Sequence, residues 1–290
     1  MYHFTPYNLT LRGSIVNINE PWVMGILNLT PDSFYSDSRC NESTMIEQRV
    51  NQIITEGAKI IDIGGYSSRP GANDITPDEE YSRLATGLDI IKRIAPNAII
   101  SVDTFRADVA RRCVNNWGVD IINDISGGNL DAEMFDTVAS LGVPYILMHM
   151  RGTPSTMQQF TQYNDATLDV INDLSQKVSI LKEKGVKDII IDPGFGFSKT
   201  LEQNYTLLNN LEKFHSLNAP LLVGVSRKSM IYNTLGGSPD TALNGTTVIN
   251  TLAIAKGAHI LRSIFGCKEY NESGFSLDHC LLYNVMNLLP

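Results

Sequence analysis

The chain has 290 residues, 43% hydrophobic and 19% charged, with a formal net charge of −8. That length and apolar content suit one large core, such as an α/β barrel of about 250 residues. The acidic balance argues against a nucleic-acid or anionic-membrane surface, while a local cluster of Lys and Arg leaves small anionic substrates open.

Four cysteines, Cys40, Cys113, Cys267 and Cys280, form no CxxC pair, so reduced thiols in a cytoplasmic protein are expected. No apolar run reaches the ~18 residues of a membrane span. The start, MYHFTPYNLT, lacks the basic and apolar regions of a secretory signal.

In chain order, LTLRGSIVNIN over 9–19 predicts a hairpin placed to plug a barrel's base. Short apolar runs then recur at 22–27, 59–65, 97–103, 119–124, 144–150, 188–194, 220–226 and 258–263. They are rich in Ile, Val and Leu and do not alternate, as strands buried on both faces should be. Helical patterns lie between them. Thr44 with Glu47 predicts a helix start, ending at the C′ glycine Gly57. Thr76-Pro77-Asp78-Glu79 is a capping box with proline at the first helical position, opening a helix to Ile94. Leu168, Ile171, Leu174, Val178 and Leu181 mark a helix over 165–184. Leu207, Leu208, Leu211 and Phe214 mark another, and Leu277, Leu281, Val285 and Leu288 a final one. Strand followed by helix, eight times and without a linker, predicts one α/β domain over 1–290: a (β/α)8 TIM barrel from about residue 22, preceded by the β-hairpin. A doubly wound sheet is the alternative, but no G-x-G-x-x-G opens the first helix.

In such a barrel the chemistry sits at the C-terminal mouth of the strands. The residues at the strand exits are Asn28, Asp62, Asp103, Asn123, His149, Asp192, Lys228 and Arg262. One strand-end Asp or Asn usually caps a helix, but a polar group at every exit describes a pocket. Arg262 ends an apolar strand and needs an anion or a carboxylate to meet it. Lys228 with Arg262 makes a two-point anion clamp. In DPGFGFSK, 192–199, the glycines allow close approach and a phenyl face suits a flat ligand. His149, between Met148 and Met150, reads as a hydrogen-bonded core histidine, and His3, His215 and His279 as peripheral. The metal that fits is Mg²⁺, held by Asn28 and a substrate diphosphate.

GILNLTPDSF, IIDIGGYSSRPG, ISVDT, IINDI, LMHM, DPGFGF and LLVGVSRKS stand in order over residues 22–263. In order and spacing they resemble the motifs of the dihydropteroate synthase family. The resemblance implies joining 4-aminobenzoate to a dihydropterin diphosphate with release of diphosphate, in folate synthesis. It implies Asp103, Asn123, Asp192 and Lys228 on the pterin, beside Met148 and Phe197. Asn28, with Mg²⁺, and Arg262, Ser68 and Arg69 would meet the diphosphate. Ser68, Pro70, Phe197, Ser226, Lys228 and Phe34 would shape the aminobenzoate site, with the loop residues Pro31 and Asp32 helping to close it. Asp103, Lys228, Arg262, Asp32 and Arg69 would carry the chemistry. A homodimer is also implied, its interface supplied by the final helix. Three departures stand out: Tyr66 replaces the usual glutamate of the second loop, SFYSDSRC lacks the usual glycines, and Ile264-Phe265 stands where the family has His-Asp. The alternatives are a pterin-binding protein without turnover, a pterin-dependent methyltransferase, and a Schiff-base aldolase using Lys228, whose pKa Arg227 would depress.

Overall fold

The computed structural model describes residues 4–30, 39–68 and 74–264. It opens with an antiparallel pair, β1 (Tyr7–Leu11) and β2 (Ser14–Ile18), turned by Arg12 and Gly13 at φ of 51° and 74°. Two successive positive φ values give the tight turn whose twist matches its strands. The predicted hairpin is present.

Eight parallel strands follow: β3 (Trp22–Asn28), β4 (Ile60–Gly64), β5 (Ile99–Asp103), β6 (Ile121–Asp124), β7 (Tyr145–Met148), β8 (Ile189–Asp192), β9 (Leu222–Val223) and β10 (Ile260–Ser263). They pair in the order β8-β7-β6-β5-β4-β3-β10-β9, and a bridge from Ile191 to Leu221 brings β8 against β9 to close the barrel. At that seam Ile191 N–H donates to Pro220 O at 2.9 Å. The seventh predicted strand, expected over 220–226, is cut to two residues there.

Helices fill the crossovers: α1 (Arg39–Thr55), α2 (Pro77–Ile94), α3 (Ala107–Trp117), α4 (Met134–Leu141), α5 (Ala166–Glu183), α6 (Leu201–Asn209), α7 (Ser229–Leu235) and α8 (Leu243–Ala255). Several local expectations need correction. Helix α1 begins at Arg39, so Thr44 lies inside it rather than capping it. The capping box of α2 is half formed: Thr76 Oγ1 accepts Glu79 N–H at 3.2 Å, but the Glu79 carboxylate turns to Arg83 at 2.6 Å. Leu168 is exposed, because the buried stripe of α5 runs through Ala166, Thr167, Val170, Leu174, Val178 and Leu181 and passes beside it. The Leu207–Phe214 pattern splits into α6 and a 3-10 turn over Leu211–Leu217. Gly57 does end α1, at φ +89°, with Gly57 N–H on Ile54 O and Ala58 N–H on Ile53 O. The final predicted helix lies outside the described residues.

Buried apolar residues form layers. Met24, Ile60, Ile121, Ile146, Ile190, Leu222 and Ile260 fill the lower barrel, where Leu9, Leu11 and Ile18 of the hairpin plug it. A larger layer joins the outer strand faces to the helices. The hairpin is pinned by Arg12, whose Nε and Nη2 reach Asp120 at 2.7 and 2.8 Å. His259 pins the chain ahead of it: its Nδ1 accepts Leu221 N–H, so its Nε2 carries the proton donated to Thr5 O at 3.0 Å. Burial pushes the His259 pKa down to about 4, which keeps this neutral form.

Helix α2 approaches the barrel through Gly87, where a Cβ would lie 2.6 Å from Ile63 Cδ1 and Leu29 Cδ1. Gly87→Ala should therefore destabilise the protein by about 1–3 kcal/mol through overpacking, although alanine is the better helix former. Urea denaturation measures this, and a gain in stability would contradict such tight packing.

Candidate functional site

Asn28, Gly64, Asp103 and Asn123 stand in register across β3, β4, β5 and β6. Met148 faces Asp192 across β7 and β8. These residues ring the C-terminal mouth. Asp62 lies one inward layer deeper, beside Ile26 and Ser101, and is fully buried.

Arg262 rises from β10 into the centre. Its Nε donates to Asp62 Oδ2 at 2.6 Å and its Nη2 to Asp103 Oδ2 at 2.7 Å. Asp62 Oδ2 also accepts Asn123 Nδ2 at 3.1 Å. The anion expected opposite Arg262 is thus met by carboxylates of the same chain. Burial opposes the Arg262 charge, but Asp62 and Asp103 more than offset it and hold the guanidinium above its ordinary pKa. Burial also pushes Asp103 up, against the pull of Arg262. Asp62 Oδ1 and Ser101 Oγ are buried and have no hydrogen-bond partner among the described residues, so the floor keeps polar capacity for water or a ligand edge.

Lys228 enters from the other side, at the N-cap position of α7. Its Nζ donates to Phe195 O at 2.5 Å and lies 4.7 Å from the centre of the Phe197 ring. Burial lowers its pKa to about 8, opposed by Asp192 and reinforced by Arg262. Burial raises the Asp192 carboxyl, which Lys228 and the Gly194 N–H (2.8 Å) counteract. A Cβ at Gly224 would sit 3.7 Å from Arg262 Cβ and 3.9 Å from Lys228 Nζ, so this glycine leaves the two cations a common space. Of the two phenylalanines in DPGFGFSK, Phe195 is in the outer core and Phe197 borders the mouth with Met148, Met150, Ile125 and Met157.

Other expected residues fall elsewhere. Arg227 turns out of the mouth, at φ +52°, to the carbonyls of Pro239 and Asp240, so the depressed Lys228 pKa owes nothing to it. Ser226 Oγ is occupied by Ile264 N–H and Ser263 Oγ, both at 3.2 Å. Ser68 is described, half-buried, after β4. His149 is buried but faces away from the mouth, with Nδ1 3.0 Å from Lys199 Nζ. His215 lies away from the mouth, its ring edge-on to His259 at 5.7 Å. Pro31, Asp32, Phe34, Arg69, Pro70, Phe265, His3 and His279 lie outside the described residues. Beside the mouth Tyr66 packs edge-on against Phe105 at 5.0 Å, with Arg106 over both rings and paired to buried Glu80 at 2.7 Å.

A family model described as pterin binding enzyme matches residues 24–263. The chain belongs to the pterin-binding enzyme family. Among relatives, it is 39% identical over 269 residues to a dihydropteroate synthase of Escherichia coli, covering 91% of this chain and 93% of that one. A dihydropteroate synthase of Clostridium beijerinckii is 41% identical over 247 residues, covering 83% and 88%. Among solved family members, the Yersinia pestis dihydropteroate synthase in complex with a sulfonamide drug superposes with a TM-score of 0.83 at 32% identity, covering 97% of each chain. That of Xanthomonas albilineans with 4-aminobenzoic acid gives 0.84 at 30% identity, over 98% of this chain and 97% of that one.

Two buried groups at the family site were not singled out from sequence. Asp62 was noted only as a strand exit, yet a carboxylate inside the apolar run KIIDIGG signals a buried partner. Lys199, 3% exposed, carried no comparable signal, since a lysine after a glycine-rich loop is ordinarily solvated.

Removing Asp62 leaves the Arg262 Nε without its partner and the guanidinium with Asp103 as its one remaining carboxylate partner among the described residues. Asp62→Ala should cost about 3–5 kcal/mol of stability. The double variant with Arg262→Met should cost less than the sum of the two singles. Denaturant midpoints across the four proteins measure the coupling, and strict additivity would deny the pair.

Proposed function

We infer that the chain is a dihydropteroate synthase: it joins the methylene of a 6-hydroxymethyl-7,8-dihydropterin diphosphate to the amine of 4-aminobenzoate, giving 7,8-dihydropteroate and diphosphate. The observation that carries this reading is the convergence of Asp103, Asn123, Asp192, Lys228 and Arg262 on one mouth of a barrel of this family. A 2-amino-4-oxo pterin presents N–H donors along one edge and a ring oxygen beside them. Asp192, Asp103 and Asn123 suit the donors, and the Lys228 ammonium suits the oxygen. Phe197 and Met148 flank the flat ring with apolar surface.

Reaction breaks the bond between the pterin methylene carbon and the diphosphate oxygen, whose electron pair leaves with the diphosphate. The arylamine lone pair forms the new C–N bond, and the ammonium proton passes to water. An arylamine is a free base near neutral pH, so no strong base is needed. Arg262 stabilises the charge that grows on the leaving oxygen, with donors beyond the two held by Asp62 and Asp103. Asp103 faces the positive charge left on the pterin. The family resemblance assigns the aminobenzoate side to Ser68 and Ser226, with Phe34, Asp32, Arg69 and Pro70 as further candidates from the two loops.

Among the described residues no group of three His, Cys, Asp or Glu side chains forms a metal cage. The Asn28 carboxamide oxygen does border the mouth, 3.7 Å from where a Cβ of Gly64 would stand. A single neutral oxygen suits Mg²⁺, which keeps water and substrate phosphate oxygens as its other ligands. Asn28 would hold that ion, which when bound neutralises charge on the leaving diphosphate. The family resemblance supports a homodimer as the working assembly, and its expected interface, the final helix, lies outside the described residues. A cytoplasmic site of action accords with the free, buried Cys113 thiol, and among the described residues no helix is long and apolar enough to cross a membrane.

Diphosphate release from the dihydropterin diphosphate, with and without 4-aminobenzoate, tests the reading. Amine-dependent release is expected; dihydropterin binding without it would make the chain a pterin carrier, the alternative that Ile264 invites. Lys228→Met should lower kcat/KM by about 10²–10³. Because the Lys228 ammonium is the binding form, dihydropterin affinity should fall as pH rises through about 8, and Lys228→Met should abolish that step in a calorimetric titration series.

A further inference from the structure

The loop after β8, residues 193–198, is folded around one buried amine. Lys199 Nζ lies 2.9 Å from Gly194 O, 3.0 Å from Phe197 O and 3.0 Å from His149 Nδ1. Three acceptors meet the three protons of an ammonium group. The backbone bends to reach this arrangement: Gly194, Gly196 and Ser198 all take positive φ, at 71°, 82° and 48°. A Cβ at Gly194 would lie 2.0 Å from His149 O, so that turn requires glycine.

The loop wrapped around Lys199 presents two groups to the mouth. Phe195 O accepts the Lys228 Nζ at 2.5 Å, and the Phe197 ring lies against the same ammonium. Lys199 bonds the residue on either side of the Phe195–Gly196 peptide pair, Gly194 and Phe197, and so fixes the height and direction of both contacts. The loop's far side is tied by Tyr163 Oη to Ser198 O at 3.0 Å and by Arg151 N–H to Ser198 Oγ at 3.0 Å.

We propose that Lys199 is a positioning residue of the pterin site, holding the loop whose Phe195 carbonyl and Phe197 ring orient the Lys228 ammonium. The proposal rests on the dihydropteroate synthase reading only for the ligand used in its test. Burial lowers the Lys199 pKa to about 7. Asp192 from β8, Asp173 from α5, Lys228 from beyond β9 and Arg151 from beyond β7 all act on the amine. His149, held neutral by burial and by Lys199, Lys177 and Arg151, has two tautomers available. When Lys199 loses a proton, its two remaining N–H groups serve the carbonyls and its lone pair accepts from a His149 Nδ1–H. The same three partners therefore suit both protonation states, and the loop stays held across neutral pH.

The test compares wild type, Lys199→Met and Lys199→Arg in the full-length protein. The probes are calorimetric binding of 6-hydroxymethyl-7,8-dihydropterin from pH 6 to 9, steady-state kinetics, and amide exchange over Phe195–Ser198 without ligand. Lys199→Met should weaken dihydropterin binding by about tenfold or more, the 1.4 kcal/mol of a single well-placed contact. It should also move the pH midpoint of binding about half a unit or more below wild type, because loss of the Phe195 carbonyl disfavours the Lys228 ammonium. Lys199→Arg, which keeps donors at that place, should recover most of both effects. Unchanged affinity and midpoint in Lys199→Met would overturn the proposal. So would a loss that tracks lowered thermal stability alone, with the midpoint fixed. If Lys199→Met does not fold, Lys199→Gln replaces it, and failure of both to fold makes Lys199 a purely structural residue and likewise overturns it. Amide exchange separates the two claims: faster exchange in Lys199→Met beside a wild-type pocket that binds no dihydropterin would sink the functional reading and leave the loop assignment standing.

Discussion

The guanidinium of Arg262 is the constraint around which the mouth is arranged. A cation at the end of a buried strand is costly unless carboxylates surround it. Asp62 and Asp103, from β4 and β5, reach it from neighbouring strands at 2.6 and 2.7 Å. That contact draws β10, which lies two strands from β4 in the sheet order, into one electrostatic unit with β4 and β5. The arrangement also sets the charge that an incoming ligand meets. Asp62, Asp103 and Asp192 stand against Arg262, Lys228 and, within the loop after β8, Lys199, so formal carboxylate and cationic charges are equal in number.

Fold was legible because the barrel writes itself into the chain as repeated apolar runs. Each run matched a strand, and the shortened β9 marks the place where closure rather than sequence sets strand length. Helix starts were less secure. Thr44 has the chemistry of a cap but sits inside α1, and Glu79 found a better partner in Arg83 than the backbone it was expected to serve. Local patterns of this kind state which bonds are available, while tertiary neighbours decide which are made.

The candidate site was legible in its residue types and less so in its pairings. Asp103, Asn123, Asp192, Lys228 and Arg262 were identified at strand ends, and the structure gathers them at one mouth. Which group faces which was not readable, since Arg262 and Lys228 are separated in sequence from their partners by up to 200 positions. Arg227 shows the limit: next to Lys228 in the chain, it leaves the site through a single positive-φ residue. Lys199 shows the converse. Nothing in its immediate sequence distinguishes it from a surface lysine, and only the folded loop encloses it.

The His259 contact at the base has a mechanical consequence for the opposite end. His259 bonds Thr5 ahead of the hairpin and Leu221 ahead of β9, and it stands only three residues before Arg262. At the upper end Ser263 is tied to Ser226. The strand carrying the guanidinium is therefore anchored both below and above, like a string between two pegs. The base plug and the chemistry are in series: a change that let the N-terminal hairpin lift would be transmitted along β10 as a change in the height of Arg262.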